Sequence, residues 1–198
     1  MTSHHGSRPF DIEGLLLIGG QSTRFLPDKM QEDLDRSPLF HHAYHVLATM
    51  CSHVWISVGP QGLSVPPPIM ANTSWDLVMD EEPGLGPLGG VLAGLRACRS
   101  RELLVLAGDL PRITAPSALK LLQVPPADVV CARDASNGRW QPLCARWNTE
   151  LATKVAGYLD AGSRSVMGFL DQRSVGTVDI PSTELLNVNW PEDMPGSR

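Results

Sequence analysis

Three kinds of residue stand at spacings that suit phosphate chemistry: a glycine pair, two cations behind it and an aspartate far downstream. Leu15-Leu16-Leu17-Ile18 is a short apolar run that stops at Gly19-Gly20 and leads into Gln21-Ser22-Thr23-Arg24-Phe25-Leu26-Pro27-Asp28-Lys29. The run has no polar alternation, so it reads as a buried strand. Gly19 and Gly20 let the backbone turn sharply and approach a ligand closely. Loop amides can then point inward at an anion, while Arg24 offers a bidentate fork and Lys29 a compact charge. A tight turn with two solvated cations is the plainer alternative, and the order strand, glycine pair, Arg, Lys favours a phosphate site. Lysine occurs only at positions 29, 120 and 154, which gives the same weak indication. Neither G-x-x-x-x-G-K-[ST] nor G-x-G-x-x-G occurs in this stretch.

The third residue type comes from Gly108-Asp109-Leu110-Pro111, which follows the run Glu102 to Ala107, apolar after its first residue. A carboxylate at the carboxyl end of a central strand lies where open α/β sheets bind ligands. A single Asp there suits Mg²⁺, which is often held by one or two carboxylates together with phosphates. The competing reading is an Asp that caps the next turn. Between the two lies a second glycine-rich stretch, Pro83-Gly84-Leu85-Gly86-Pro87-Leu88-Gly89-Gly90, with Pro87 placed for the first turn of a helix. The exposed amides of that turn can receive an anion or a base edge, and a structural loop is the plainer alternative.

The elements that must position these residues alternate. Strands are expected at Val54–Val58, Trp75–Met79, Glu102–Ala107, Asp128–Arg133, Gln141–Trp147, Val175–Ile180 and Leu185–Val188. Helices are expected from Leu39 to Met50, with Ser37 as N-cap and Pro38 at N1, from Pro87, over Pro116–Leu122, over Glu150–Leu159, and after a Ser163 cap. This alternation predicts an α/β fold with a mainly parallel sheet between two helical layers. The histidines at 41, 42 and 45 read as helix-surface imidazoles.

The 198 residues are 42% hydrophobic, enough for one domain over residues 11–198 behind a flexible tail at 1–10. A formal net charge of −5 argues against nucleic acid as a partner. No run is long enough for a membrane span and no signal core is present, so no membrane partner and a cytoplasmic location are expected. Cys51, Cys98, Cys131 and Cys144 form no C-x-x-C pair and read as reduced thiols.

Taken in order, these motifs resemble those of the molybdenum cofactor guanylyltransferases, which have a Rossmann-like nucleotidyltransferase fold. Leu17 to Arg24 with Asp28-Lys29 resembles the family's L-x-G-G-x-S-x-R-M-G-x-D-K, and Gly86-Pro87-Leu88-Gly89-Gly90 resembles its G-P-L-A-G. Gly108-Asp109-Leu110-Pro111 resembles its metal aspartate segment, Gln141-Pro142-Leu143 its H-P segment, and Asn187-Val188-Asn189-Trp190-Pro191-Glu192-Asp193 its N-V-N-T-P-E-D ending. The resemblance implies transfer of GMP from GTP to a terminal phosphate of molybdopterin, or molybdenum-molybdopterin, with Mg²⁺ and transient contacts to cofactor donor and acceptor proteins. It also implies that Leu17, Ile18, Gly19 and Gly20 contact the nucleotide, and that Arg24 and Lys29 hold its phosphates. Asp80 and the Gly86 to Gly90 turn then read guanine or ribose, Asp109 holds the metal, and Arg164, Asn187 and Asn189 face the pterin. Two departures stand out. Phe25-Leu26 replaces the family's Met-Gly, and Ser57, expected to contact the nucleotide, replaces an asparagine. Beside this reading stand a related transferase with another nucleotide or phosphate acceptor, and a non-catalytic nucleotide-binding paralogue.

Overall fold

The computed structural model describes residues 11–18, 33, 34, 37–58, 73–79, 82 and 84–186. Their framework is a seven-stranded sheet: β1 (Glu13–Leu17), β4 (His53–Val58), β5 (Ser74–Met79), β6 (Glu102–Ala107), β7 (Val129–Asp134), β8 (Trp140–Asn148) and β9 (Val175–Ile180). A short hairpin pairs β2 (Asp33–Leu34) with β3 (Ser37–Pro38). The helices are α1 (Phe40–Met50), α2 (Pro87–Ala97), α3 (Ala115–Gln123), α4 (Ala152–Asp160) and α5 (Val166–Leu170).

The sheet order is β5-β4-β1-β6-β8-β7-β9. Parallel pairing joins β5 to β4, β4 to β1, β1 to β6 and β7 to β9, while β8 runs antiparallel to both β6 and β7. The mainly parallel sheet is therefore as expected, and the Asp134–Arg139 turn makes a hairpin of β7 and β8.

Burial follows from the alternation of strand side chains. Leu16, Ile56, Leu104 and Leu106 face α1 and α3 in one core. Leu15, Leu17, Trp55, Leu103 and Val105 face α2, α4 and Phe169 of α5 in the other. Both faces are covered, which explains why β1 and β6 read as continuous apolar runs. Cys51, Cys131 and Cys144 are buried and Cys98 is half-buried, and all four are free thiols. Burial pushes Cys98, Cys131 and Cys144 up to about 12, so they stay protonated at neutral pH.

Three boundaries differ from the sequence expectation. Ser37 and Pro38 do not start α1: they form β3, and Leu39 occupies the N-cap without a side-chain hydrogen bond. A residue before proline is pushed toward extended backbone, and a two-residue edge strand tolerates the proline, so the hairpin wins over the cap. α5 is capped by Ser165, whose Oγ accepts the Gly168 amide at 3.1 Å, rather than by Ser163. Ser163 is drawn back to α4, its amide reaching Tyr158 O at 3.2 Å. Of the strand expected at Leu185–Val188, the described part is not a strand. One 3₁₀ turn at Ser182–Glu184 ends with the Leu185 amide on Ser182 O at 3.1 Å.

Candidate active site

The chain leaves β1, builds β4 and β5 on one side of it, and returns to build β6 on the other. The reversal places a crevice between the carboxyl ends of β1 and β6, the position at which open α/β sheets receive ligands. Asp109 stands at that crevice, half-buried, with Gly108 immediately after β6. The Gly108 amide donates to Leu17 O at 2.9 Å, so the aspartate is fixed directly to the end of the strand that leads into Gly19.

On the other flank the Ile18 amide donates to Ser57 O at 3.0 Å. Leu17 and Ser57 are register partners in the parallel pair, and Ser57 is 1% exposed. Helix α2 closes this side. Its N-cap Gly86 sits at φ 67°, a left-handed conformation that a side chain makes costly. As a glycine it supplies no capping side chain to the first-turn amides. Gly90 meets the sheet closely: a Cβ there would lie 2.5 Å from Ser57 Oγ and 2.8 Å from Leu17 Cδ2.

The structure thus brings Leu17, Ile18, Ser57, Gly86, Gly90 and Asp109 to neighbouring strand ends and one helix turn. Arg164 stands further along the α2–α4 face. It lines a cleft of about 270 Å³ with Glu82, Leu85, Leu92, Arg96 and Leu159. Its Nη1 donates to Leu159 O at 2.6 Å and Ser163 O at 2.9 Å, which ties the guanidinium to the carboxyl end of α4. Gly19, Gly20, Arg24, Lys29, Asp80, Asn187 and Asn189 lie outside the described residues.

Two contacts near the site carry no sequence signal. Glu184 Oε2 accepts from the Thr114 amide at 3.1 Å and from Thr114 Oγ1 at 2.8 Å, across 70 positions. Thr114 also caps α3, so the segment leading to Asn187 is clamped to the helix that follows Asp109. The second is the Gly90–Ser57 approach. Asp134 stands at the end of β7, at the start of the polar turn read over Asp134 to Arg139. Hydroxyl donation from Ser182 and Ser136 holds its carboxyl down at about 2.

Among the described residues no three His, Cys, Asp or Glu side chains cluster as a metal cage. Asp109 supplies a hard oxygen donor beside an expected phosphate path, and that donor set fits Mg²⁺, which completes its shell with water and substrate oxygens.

A model of the MobA-like NTP transferase domain matches residues 14–175. The chain belongs to the MobA-like NTP transferase family. The MobA-like fold therefore comes with its class of chemistry, nucleotidyl transfer from a nucleoside triphosphate. Among relatives, the molybdenum cofactor guanylyltransferase of Cereibacter sphaeroides is 32% identical, covering 91% of this chain and 92% of its own. The molybdopterin-guanine dinucleotide biosynthesis protein A of Archaeoglobus fulgidus superposes with a TM-score of 0.70 at 17% identity, over 92% of this chain and 94% of that one. A 2-C-methyl-D-erythritol 4-phosphate cytidylyltransferase from Thermus thermophilus reaches 0.65 at 15% identity, over 93% and 96%. The MobA-like fold is thus shared by proteins named for guanine and for cytidine nucleotides. Among the described residues no helix is long and apolar enough to cross a membrane.

Proposed function

We propose that residues 11–198 act as one nucleotidyltransferase domain that moves GMP from GTP to the terminal phosphate of molybdopterin, in the cytoplasm, releasing pyrophosphate. The observation that carries this reading is Asp109 at the β1–β6 crevice, directly after Gly108, whose amide is bonded to Leu17 O at the end of β1. The 32% identity to a guanylyltransferase over nearly the whole chain supports the choice of guanine and of molybdopterin.

In this mechanism the acceptor phosphate is the nucleophile. Its oxygen bonds to the α-phosphorus of GTP as the bridge to the β-phosphate breaks, and the electron pair leaves with pyrophosphate. No protein nucleophile is required, so the protein's work is alignment and charge stabilisation. Arg24 and Lys29 hold the phosphates, and Asp80 with the Gly86 to Gly90 turn reads guanine or ribose. Arg164, Asn187 and Asn189 orient the pterin. Asp109 would hold Mg²⁺, which when bound neutralises charge on the leaving pyrophosphate. Donor and acceptor proteins of the labile cofactor make transient contacts.

Calorimetric titration of GTP, CTP and ATP with Mg²⁺, followed by pyrophosphate release on adding molybdopterin, tests the proposal. GTP is expected to bind selectively and to be consumed only with the acceptor. Selective CTP binding moves the reading to a sister transferase, and no nucleotide binding removes it.

A further inference from the structure

Two motifs widely separated in the chain meet at one buried contact. Ser57 faces both. Through its carbonyl it holds the Ile18 amide at 3.0 Å, the last described link before the Gly19-Gly20 loop. Through its side chain it lies beneath the first turn of α2, where a Cβ on Gly90 would come within 2.5 Å of Ser57 Oγ and 3.3 Å of Ser57 Cβ. The third atom at that contact is Leu17 Cδ2 at 2.8 Å, from the strand that leads into the loop. Ser57 is 1% exposed and Gly90 is buried, so neither presents a side-chain surface to a ligand.

We infer that Ser57 and Gly90 are positioning residues: their contact sets how far the first turn of α2 stands from the carboxyl end of β1 at Leu17 and Ile18, and so the width of the nucleotide slot between that turn and that strand end. The inference rests on the nucleotidyl-transfer reading and deepens it. The physical basis is steric. The distances leave no room for one extra carbon, and a close-packed interior passes on such a displacement instead of absorbing it. α2 is a rigid rod whose amino end carries Gly86 and Pro87, so a shift at Gly90 moves that turn against the strand end. Ser57 then acts by fit and not by touching the base.

The test is a double-substitution cycle read by nucleotide affinity. Gly90→Ala is expected to weaken GTP binding about tenfold. Ser57→Ala added to Gly90→Ala removes the hydroxyl that the new methyl meets most closely and leaves the flexible Leu17 Cδ2 as the closest atom to give way, so it should recover at least about threefold of the lost affinity. Ser57→Thr, which adds one methyl on the same side, gives a milder version that folds more readily, with a loss of about threefold. A melting temperature taken without nucleotide accompanies each variant, because a merely structural role lowers it in Gly90→Ala and leaves affinity untouched at low temperature. Unchanged affinity in Gly90→Ala or in Ser57→Thr, or no recovery in the double variant, overturns the inference alone. Absence of nucleotide binding by the unsubstituted protein overturns the transfer reading and this inference with it.

Discussion

The two ends of the same parallel strands set their charged residues in different surroundings. At the amino ends, each leading polar residue is met by the protein itself. Glu13, 7% exposed at the head of β1, accepts from Trp55 Nε1 at 2.6 Å and from the Arg99 amide at 3.2 Å. Glu102, at the head of β6, lies 3.2 Å from Arg146 Nε, and the Arg146 guanidinium also donates to the carbonyls of Leu122, Val124 and Pro125. His53, at the head of β4, is placed by Ser74 Oγ at 2.7 Å. At the carboxyl ends, β6 stops at Ala107-Gly108 and Asp109 follows at the crevice. Charge matched at the amino ends holds the fold, and the Asp109 carboxylate stands at the end where open α/β sheets receive ligands. Burial of charge alone therefore does not mark a site.

Substitutions at the amino ends sharpen the comparison when they cost stability and leave nucleotide binding alone. The largest effect is expected from Arg146→Met, which strands three carbonyls and Glu102. It should lower unfolding stability by about 4 kcal/mol by denaturant titration. Glu13→Ala leaves the buried Trp55 Nε1 donor without an acceptor and removes the partner of the Arg99 amide, and should cost about 2 kcal/mol. For both, a changed GTP affinity well below the melting temperature breaks the distinction between the two ends. Ser165→Ala removes the α5 cap and should cost about 1 kcal/mol, read the same way.

The smallest effect is acid-dependent. The carboxyl of Asp134 is lowered from 3.8 to about 2, chiefly by the Ser182 hydroxyl and then by Ser136. A depressed carboxylate stabilises above its unfolded value and loses that contribution as pH falls through the folded one. Stability should therefore fall between about pH 4 and pH 2, and Asp134→Asn should flatten that segment of the melting-temperature profile. An identical profile in the variant removes Asp134 from the account of the β7–β9 end.

Much of this was legible in the chain. Glu102–Ala107 was read with its observed limits because a strand buried on both faces leaves a continuous apolar run, and the half-exposed edge strand Val175–Ile180 was read with its limits as well. Pro87 marked the start of α2 because a missing N–H is tolerated there. Ser37-Pro38 misled because the same pair suits a helix start and an extended edge, and the pairing partner that decides, Asp33–Leu34, lies in a stretch without strand character. The position of Asp109 was readable from one strand and one turn. The Gly90–Ser57 contact and the Glu184–Thr114 clamp were not, since each needs two segments placed by the sheet order before the residues can meet.

The most direct test of the division between the two ends is Asp109→Asn, measured for turnover and for melting temperature in one preparation. The substitution keeps size and removes charge. With GTP, Mg²⁺ and molybdopterin, pyrophosphate release should fall at least about a hundredfold while the melting temperature stays within about 2 °C. Turnover close to that of the unsubstituted protein, or a loss of activity that merely follows unfolding, would contradict the assignment of the carboxyl-end aspartate to chemistry.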